Sequence, residues 1–144
     1  MMMRKGDRSL PKRERLCSRR LIDCIFQQRS SHLKEWPLRV SYRMVDLQEE
    51  ADAPIEILVS VSKRYFKHAV DRNRVKRQIR EAYRKHKSLL LEALAGRETH
   101  AKLLIAFIYW DGKIHPTSYI EEKVEALLVR IARAMAPKEE GQQS

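Results

Sequence analysis

The stretch that most restricts this chain is Leu103–Trp110, LLIAFIYW, an apolar run without a polar break. A run this short reads as a β-strand covered on at least one face. Asp111-Gly112 closes it with a turn. A covered strand needs partner strands beside it and something packed against it, and the rest of the chain has to supply both.

Two further segments read as strands. From Leu38 to Met44 the pattern alternates: Leu38, Val40, Tyr42 and Met44 point one way, Arg39, Ser41 and Arg43 the other. The second of these faces suits phosphates, and equally suits a solvated sheet surface. Ile55 to Ser62, IEILVSVS, is β-rich and mostly apolar, which predicts a central strand. Between the two lies an acidic segment, 46–54, ending in proline, which reads as a hairpin connection.

Helical spacing accounts for most of the remainder. Ser18 starts a helix to about Gln28, with Leu21, Cys24, Ile25 and Gln28 on one face. A second helix covers 71–91. A third covers Ser118–Met135, with a capping box of Ser118 and Glu121 and an apolar stripe of Val124, Leu127, Leu128 and Ile131. The order helix, strand, strand, helix, strand, helix predicts an α+β fold: a single-domain sandwich of a small central sheet packed with helices. The 144 residues suffice for one such domain. Residues 1–15 read as a flexible basic arm, 16–136 as the domain, and 137–144 as a disordered polar tail.

Charge narrows the partner. Lys and Arg number 30 against 19 Asp and Glu, a formal net charge of +11. Such an excess repels itself within the fold and points to a polyanionic partner. Nucleic acid is the first candidate, because each neutralised phosphate releases counterions. No window approaches the roughly 18 apolar residues of a membrane span, and the N-terminal residues carry no secretory pattern. Cys17 and Cys24 read as buried thiols in a reducing, cytoplasmic setting.

The positive charge concentrates in Lys63–Lys87, KRYFKHAVDRNRVKRQIREAYRKHK. On a helix from residue 71, Val75, Ile79, Ala82 and Tyr83 gather on one side. Asn73, Arg74, Lys76, Arg77, Arg80 and Arg84 spread over the other, interrupted only by Glu81. Crowding like charges costs a few tenths of a kcal/mol per pair, so a helix kept for packing alone would alternate them. Arginine grips phosphate with a planar fork and stacks on bases. Asn73 adds an amide suited to a 2′-hydroxyl or base edge. Tyr65 and Phe66, in the preceding connection, read either as core plugs or as RNA contacts.

Arg72-Asn73-Arg74, with Val75-Lys76-Arg77 and Ile79-Arg80-Glu81 after it, resembles the signature of the protein subunit of bacterial ribonuclease P. The likeness extends upstream through Val59-Ser60-Val61-Ser62-Lys63-Arg64 and Ala69-Val70, and in element order over about residues 12–135. It implies a left-handed βαβ crossover and a fold resembling domain 2 of ribosomal protein S5. It implies that the protein carries no catalytic residue and binds no metal or cofactor of its own. The chemistry would belong to a catalytic RNA that requires Mg²⁺ and removes the 5′ leader of precursor tRNA. The resemblance assigns contacts with that RNA to Arg72, Asn73, Arg74, Lys76, Arg77, Arg80, Lys63 and Arg64. It assigns a leader-binding cleft to Phe26, Ile22, Tyr42, Arg39 and Arg43. Tyr42 also belongs to the apolar face of its strand, which is a core reading. Many members of the family carry an aromatic where Ile22 stands and a glycine in the loop that is here Tyr65-Phe66-Lys67-His68. The implied partners are the catalytic RNA and precursor tRNA, with no membrane and no protein partner.

Rival classes find less support. The five histidines show no metal-ligand spacing. Asp111, Glu121 and Glu122 are accounted for by a turn and a helix start, and with Asp71 they make no nuclease site. The four glycines are scattered and form no phosphate loop. A helix-turn-helix needs a helix before residue 63, where the pattern is strand-like. A ribosomal or other structural RNA-binding protein shares the basic helix and differs by the arginine-asparagine-arginine block.

Overall fold

The computed structural model describes residues 30–46, 54–95 and 101–135. The expected first helix, with Cys17, Cys24, Ile22 and Phe26, lies outside them, as do the basic arm, the acidic segment 47–53 and the tail.

The described elements are β1 (Ser31–Glu35), β2 (Leu38–Asp46), β3 (Ile55–Val61), α1 (Ala69–His86), α2 (Ser88–Ala93), β4 (Ala101–Tyr109) and α3 (Thr117–Met135). They form the expected α+β architecture around one four-stranded sheet of order β1-β2-β4-β3. β1 and β4 run antiparallel to β2, and β3 runs parallel to β4. The helical segment α1–α2 is therefore the crossover between two parallel neighbours.

Two expectations about the sheet are overturned. β2 and β3 are not a hairpin, because β4 pairs with both and separates them. β3, expected to be central, is an edge strand among the described residues; its apolar residues reflect the helices over one face. A strand absent from the sequence reading, β1, pairs with β2 across the two-residue turn Trp36-Pro37, whose peptide bond is cis. Its charged and short composition, SHLKE, hides the alternation.

The pleat sorts the core. Leu38, Val40 and Tyr42 of β2 stand beside Tyr109, Phe107 and Ile105 of β4, which stand beside Val61, Val59 and Ile57 of β3. All are buried on the face covered by α1 and α3. Tyr83 of α1 meets Phe107 edge-on, with ring centres 6.3 Å apart. On α3 the predicted stripe of Val124, Leu127, Leu128 and Ile131 is fully buried, joined by Ile120.

The other face of the sheet is not simply solvated. Leu104 and Ala106 are fully buried there, with Val45 and Leu58 packed against them. Ser41 is buried and its hydroxyl lies 2.8 Å from His32 Nδ1. The Lys102 ammonium donates to Glu56 on the same face, both side chains being largely withdrawn from solvent. β4 is thus covered on both faces, which is why its sequence is continuous rather than alternating.

The helix expected over 71–91 begins at Ala69 and ends at His86. After Lys87 the chain restarts as α2, which turns Leu90 and then Leu94 into the core. α3 begins at Thr117, so Ser118 lies within its first turn and the predicted capping box does not form. Glu121 instead reaches α1: its carboxylate lies 2.8 Å from His86 Nε2 and 3.8 Å from Lys85 Nζ. Among the described residues, no helix is long and apolar enough to cross a membrane.

Candidate nucleic-acid interface

α1 is amphipathic. Val75, Gln78, Ile79, Ala82 and Tyr83 are buried. Gln78 was missed by the apolar pattern; its Nε2 donates to the His115 carbonyl at 3.0 Å and to Thr117 Oγ1 at 3.1 Å. That clamp ties α1 to the start of α3. On the opposite side Asn73, Arg74 and Arg77 are exposed, and Arg72, Lys76 and Arg80 are half-buried along the flanks. Glu81, the interrupting acid, is engaged by Arg84 at 2.5 Å. That contact holds the Arg84 guanidinium firmly protonated and leaves the negative charge locally spent.

Arg72 has a structural role of its own. Its Nη1 donates to the carbonyls of Phe66 at 2.8 Å and Lys67 at 3.2 Å. Phe66 is buried against Tyr109, ring centres 6.1 Å apart, and Tyr65 is half-buried beside the core. The loop is thus anchored by one aromatic and one guanidinium. Lys63 and Arg64, at its start, are exposed. The Ser62 hydroxyl accepts from the Arg64 backbone N–H at 3.0 Å, shaping the turn that presents both cations.

The loop after β4 supports the same end of the sheet. The Tyr109 hydroxyl donates to the Lys113 carbonyl, and burial, with Asp111 nearby, pushes its pKa up. His115 Nε2 lies 2.7 Å from Asp111 Oδ2, and its ring packs on Tyr119 at 4.9 Å. A Cβ on Gly112 would sit 3.8 Å from the Tyr65 carbonyl, which places this loop against the basic one.

Of the expected cleft residues, Tyr42 is only 6 % exposed and sits in the main core with Leu38 and Val40. Arg39 and Arg43 are half-buried on the opposite sheet face. Phe26 and Ile22 lie outside the described residues. Arg39 does not stand alone: its guanidinium carbon is 5.2 Å from the Trp110 ring centre, and Lys34 Nζ is 5.5 Å from it. Trp36 packs on Trp110, ring centres 5.5 Å apart. Sequence reasoning missed this cluster, although an aromatic-proline pair directly before the alternating run at Leu38 was a usable turn signal. No group of three His, Cys, Asp or Glu residues that could hold a metal ion forms among the described residues.

The sequence profile of the ribonuclease P protein family matches residues 10–109. The ribonuclease P protein component of Porphyromonas gingivalis ATCC 33277 is 40% identical over 123 residues, 85% of this chain and 86% of the relative. That of Chlorobaculum tepidum is 35% identical over 113 residues, 76% and 72% of the two chains. The fold matches the ribonuclease P protein of Staphylococcus aureus with a TM-score of 0.61 at 22% identity, covering 85% of this chain and 97% of that one. It matches the Thermotoga maritima protein with a TM-score of 0.60 at 22% identity, covering 81% and 96%. The chain belongs to the ribonuclease P protein component family.

Proposed function

We propose that this protein binds the catalytic RNA of ribonuclease P through the exposed face of α1 and the Lys63-Arg64 loop, and holds the 5′ leader of precursor tRNA against the sheet. In this reading the RNA, with its Mg²⁺, cuts the leader, and the protein contributes no catalytic group. The protein's part is electrostatic and positional. Phosphates of the RNA subunit pair with Arg74, Arg77, Lys63 and Arg64, with Arg72, Lys76 and Arg80 on the flanks, while Asn73 offers a donor and an acceptor to a ribose or base. Arg39 and Arg43, on the sheet face away from α1 and α3, belong to the leader side together with Phe26 and Ile22, while Tyr42 serves the core. Screening of RNA repulsion lowers the Mg²⁺ needed for activity.

The observation that carries this reading is the two-sidedness of α1. Its apolar and amide residues are consumed by packing, while Asn73, Arg74 and Arg77 face solvent. The test is cleavage of a 5′-extended precursor tRNA in low Mg²⁺ by the protein alone, a bacterial ribonuclease P RNA alone, and the mixture. Correct cleavage rising sharply only in the mixture supports the proposal. Cleavage by the protein alone overturns the division of labour. Tight binding to the RNA without effect on cleavage moves the protein to a structural RNA-binding role.

A further inference from the structure

The Trp36–Trp110 pair at the β1–β2 turn is not used by either role so far described. Trp36 is 52% exposed, an unusual position for the largest apolar side chain. It packs on Trp110, which is itself flanked by the Lys34 ammonium and the Arg39 guanidinium at cation–π distance. Neither cation forms an ion pair among the described residues; the nearby Glu35 carboxylate is taken by Arg130 of α3 at 3.0 Å. The Trp110 indole N–H is buried without an acceptor, a cost that a pair kept only for packing need not carry.

Topology places this cluster beside the basic loop. The Trp110 backbone N–H donates to the Pro37 carbonyl at 3.1 Å, so the β1–β2 turn abuts the end of β4. β3 ends at the same level, because Val61 is level with Tyr109. Lys63 and Arg64 leave the sheet there, about 10 Å away across two strand spacings. On the sheet face away from α1 and α3, Lys34, Arg39, Ile108 and Ser60 form one row across all four strands. The Arg43 row lies further along the same face.

We propose that Trp36, backed by Trp110, is a stacking platform for an unpaired base of the 5′ leader, with Lys34 and Arg39 taking the adjoining phosphates. Unpaired bases stack on aromatic side chains irrespective of sequence, and flanking cations follow the backbone. A paired helix offers no free base face to a platform of this kind, so the leader is the occupant rather than a duplex part of the partner RNA. This inference rests on the leader-binding reading above and extends it to a site at the turn.

The chain contains two tryptophans, and both are in this cluster. Intrinsic tryptophan fluorescence therefore reports on the site alone. Titration of the wild-type protein with a single-stranded leader oligonucleotide quenches or shifts that emission; unchanged emission at saturating oligonucleotide overturns the inference. In holoenzyme reconstituted with a bacterial ribonuclease P RNA, Trp36→Ala weakens precursor tRNA binding about 5- to 150-fold, as for one lost stacked base. Trp36→Phe keeps the stack, stays near wild type, and serves as the folded control. Affinity for mature tRNA and for the RNA subunit is unchanged in both variants. An equal loss on mature tRNA, or no loss on precursor, sinks the platform. If the wild type itself makes no distinction between precursor and mature tRNA, the leader-binding reading falls instead.

Discussion

The Arg72 guanidinium turns back from α1 to donate to the Phe66 carbonyl at 2.8 Å, locking the basic loop onto the helix that follows it. The first arginine of the motif thus supports the shape of the basic loop, whereas Asn73 and Arg74 are exposed to solvent.

That division predicts separable phenotypes. Arg72→Ala lowers thermal stability by about 1 kcal/mol, the scale of a partly exposed hydrogen bond. The double charge reversal Arg74→Glu with Arg77→Glu leaves the melting temperature close to wild type and weakens binding to the RNA subunit about 100-fold or more, from lost charged hydrogen bonds. Circular dichroism melts and filter binding on the same preparations check both. Equal loss of stability in the two variants contradicts the division.

Salt provides a second check. If about 6–10 phosphates are neutralised, affinity for the RNA subunit falls about 10³- to 10⁵-fold between 50 and 200 mM salt. Each arginine contact removed lowers the slope by about one. A nearly salt-independent affinity would rule out the electrostatic account.

Lys102 and Glu56 form an ion pair on the sheet face away from α1 and α3, with side chains 6% and 13% exposed. Removing one partner strands the other charge, so Glu56→Gln destabilises the fold by about 3–5 kcal/mol. The double replacement Glu56→Leu with Lys102→Met recovers most of that loss, because two apolar side chains need no pairing. Urea unfolding of the three proteins measures the difference.

The hydrogen bond from His86, with Lys85 nearby, holds the Glu121 carboxyl below its ordinary value. A depressed folded-state value stabilises above the unfolded pKa, and that contribution disappears as pH falls through the folded one. Glu121→Gln therefore lowers stability near neutral pH by under about 1 kcal/mol, since the pair is partly exposed. Wild type and variant converge in acid. Melting temperatures measured across the acid range test the sign.

Much of the fold was legible where a single face is buried by a regular element. Val75, Ile79, Ala82 and Tyr83 on α1, and Val124, Leu127, Leu128 and Ile131 on α3, are buried as their spacing implied. The same periodicity set the basic residues outward, because a helix cannot bury both sides of a stripe that narrow. Short charged β1 and the order of the strands left no such periodic trace. A strand's own pattern says which face it hides and is silent on which neighbours pair with it.

By itself, then, the sequence determined the α+β class, the apolar stripes of α1 and α3 and the basic face between residues 72 and 80. Those follow from local periodicity and charge, properties of residues close together in the chain. Only the tertiary structure decided that β4 separates β2 from β3, that Arg72 is bonded back to its own loop, and that Glu121 serves His86 instead of capping its helix. It alone brought Trp36 against Trp110 between Lys34 and Arg39. These are meetings of residues far apart in the chain, set by how strands pair and helices pack, and no local pattern encodes them.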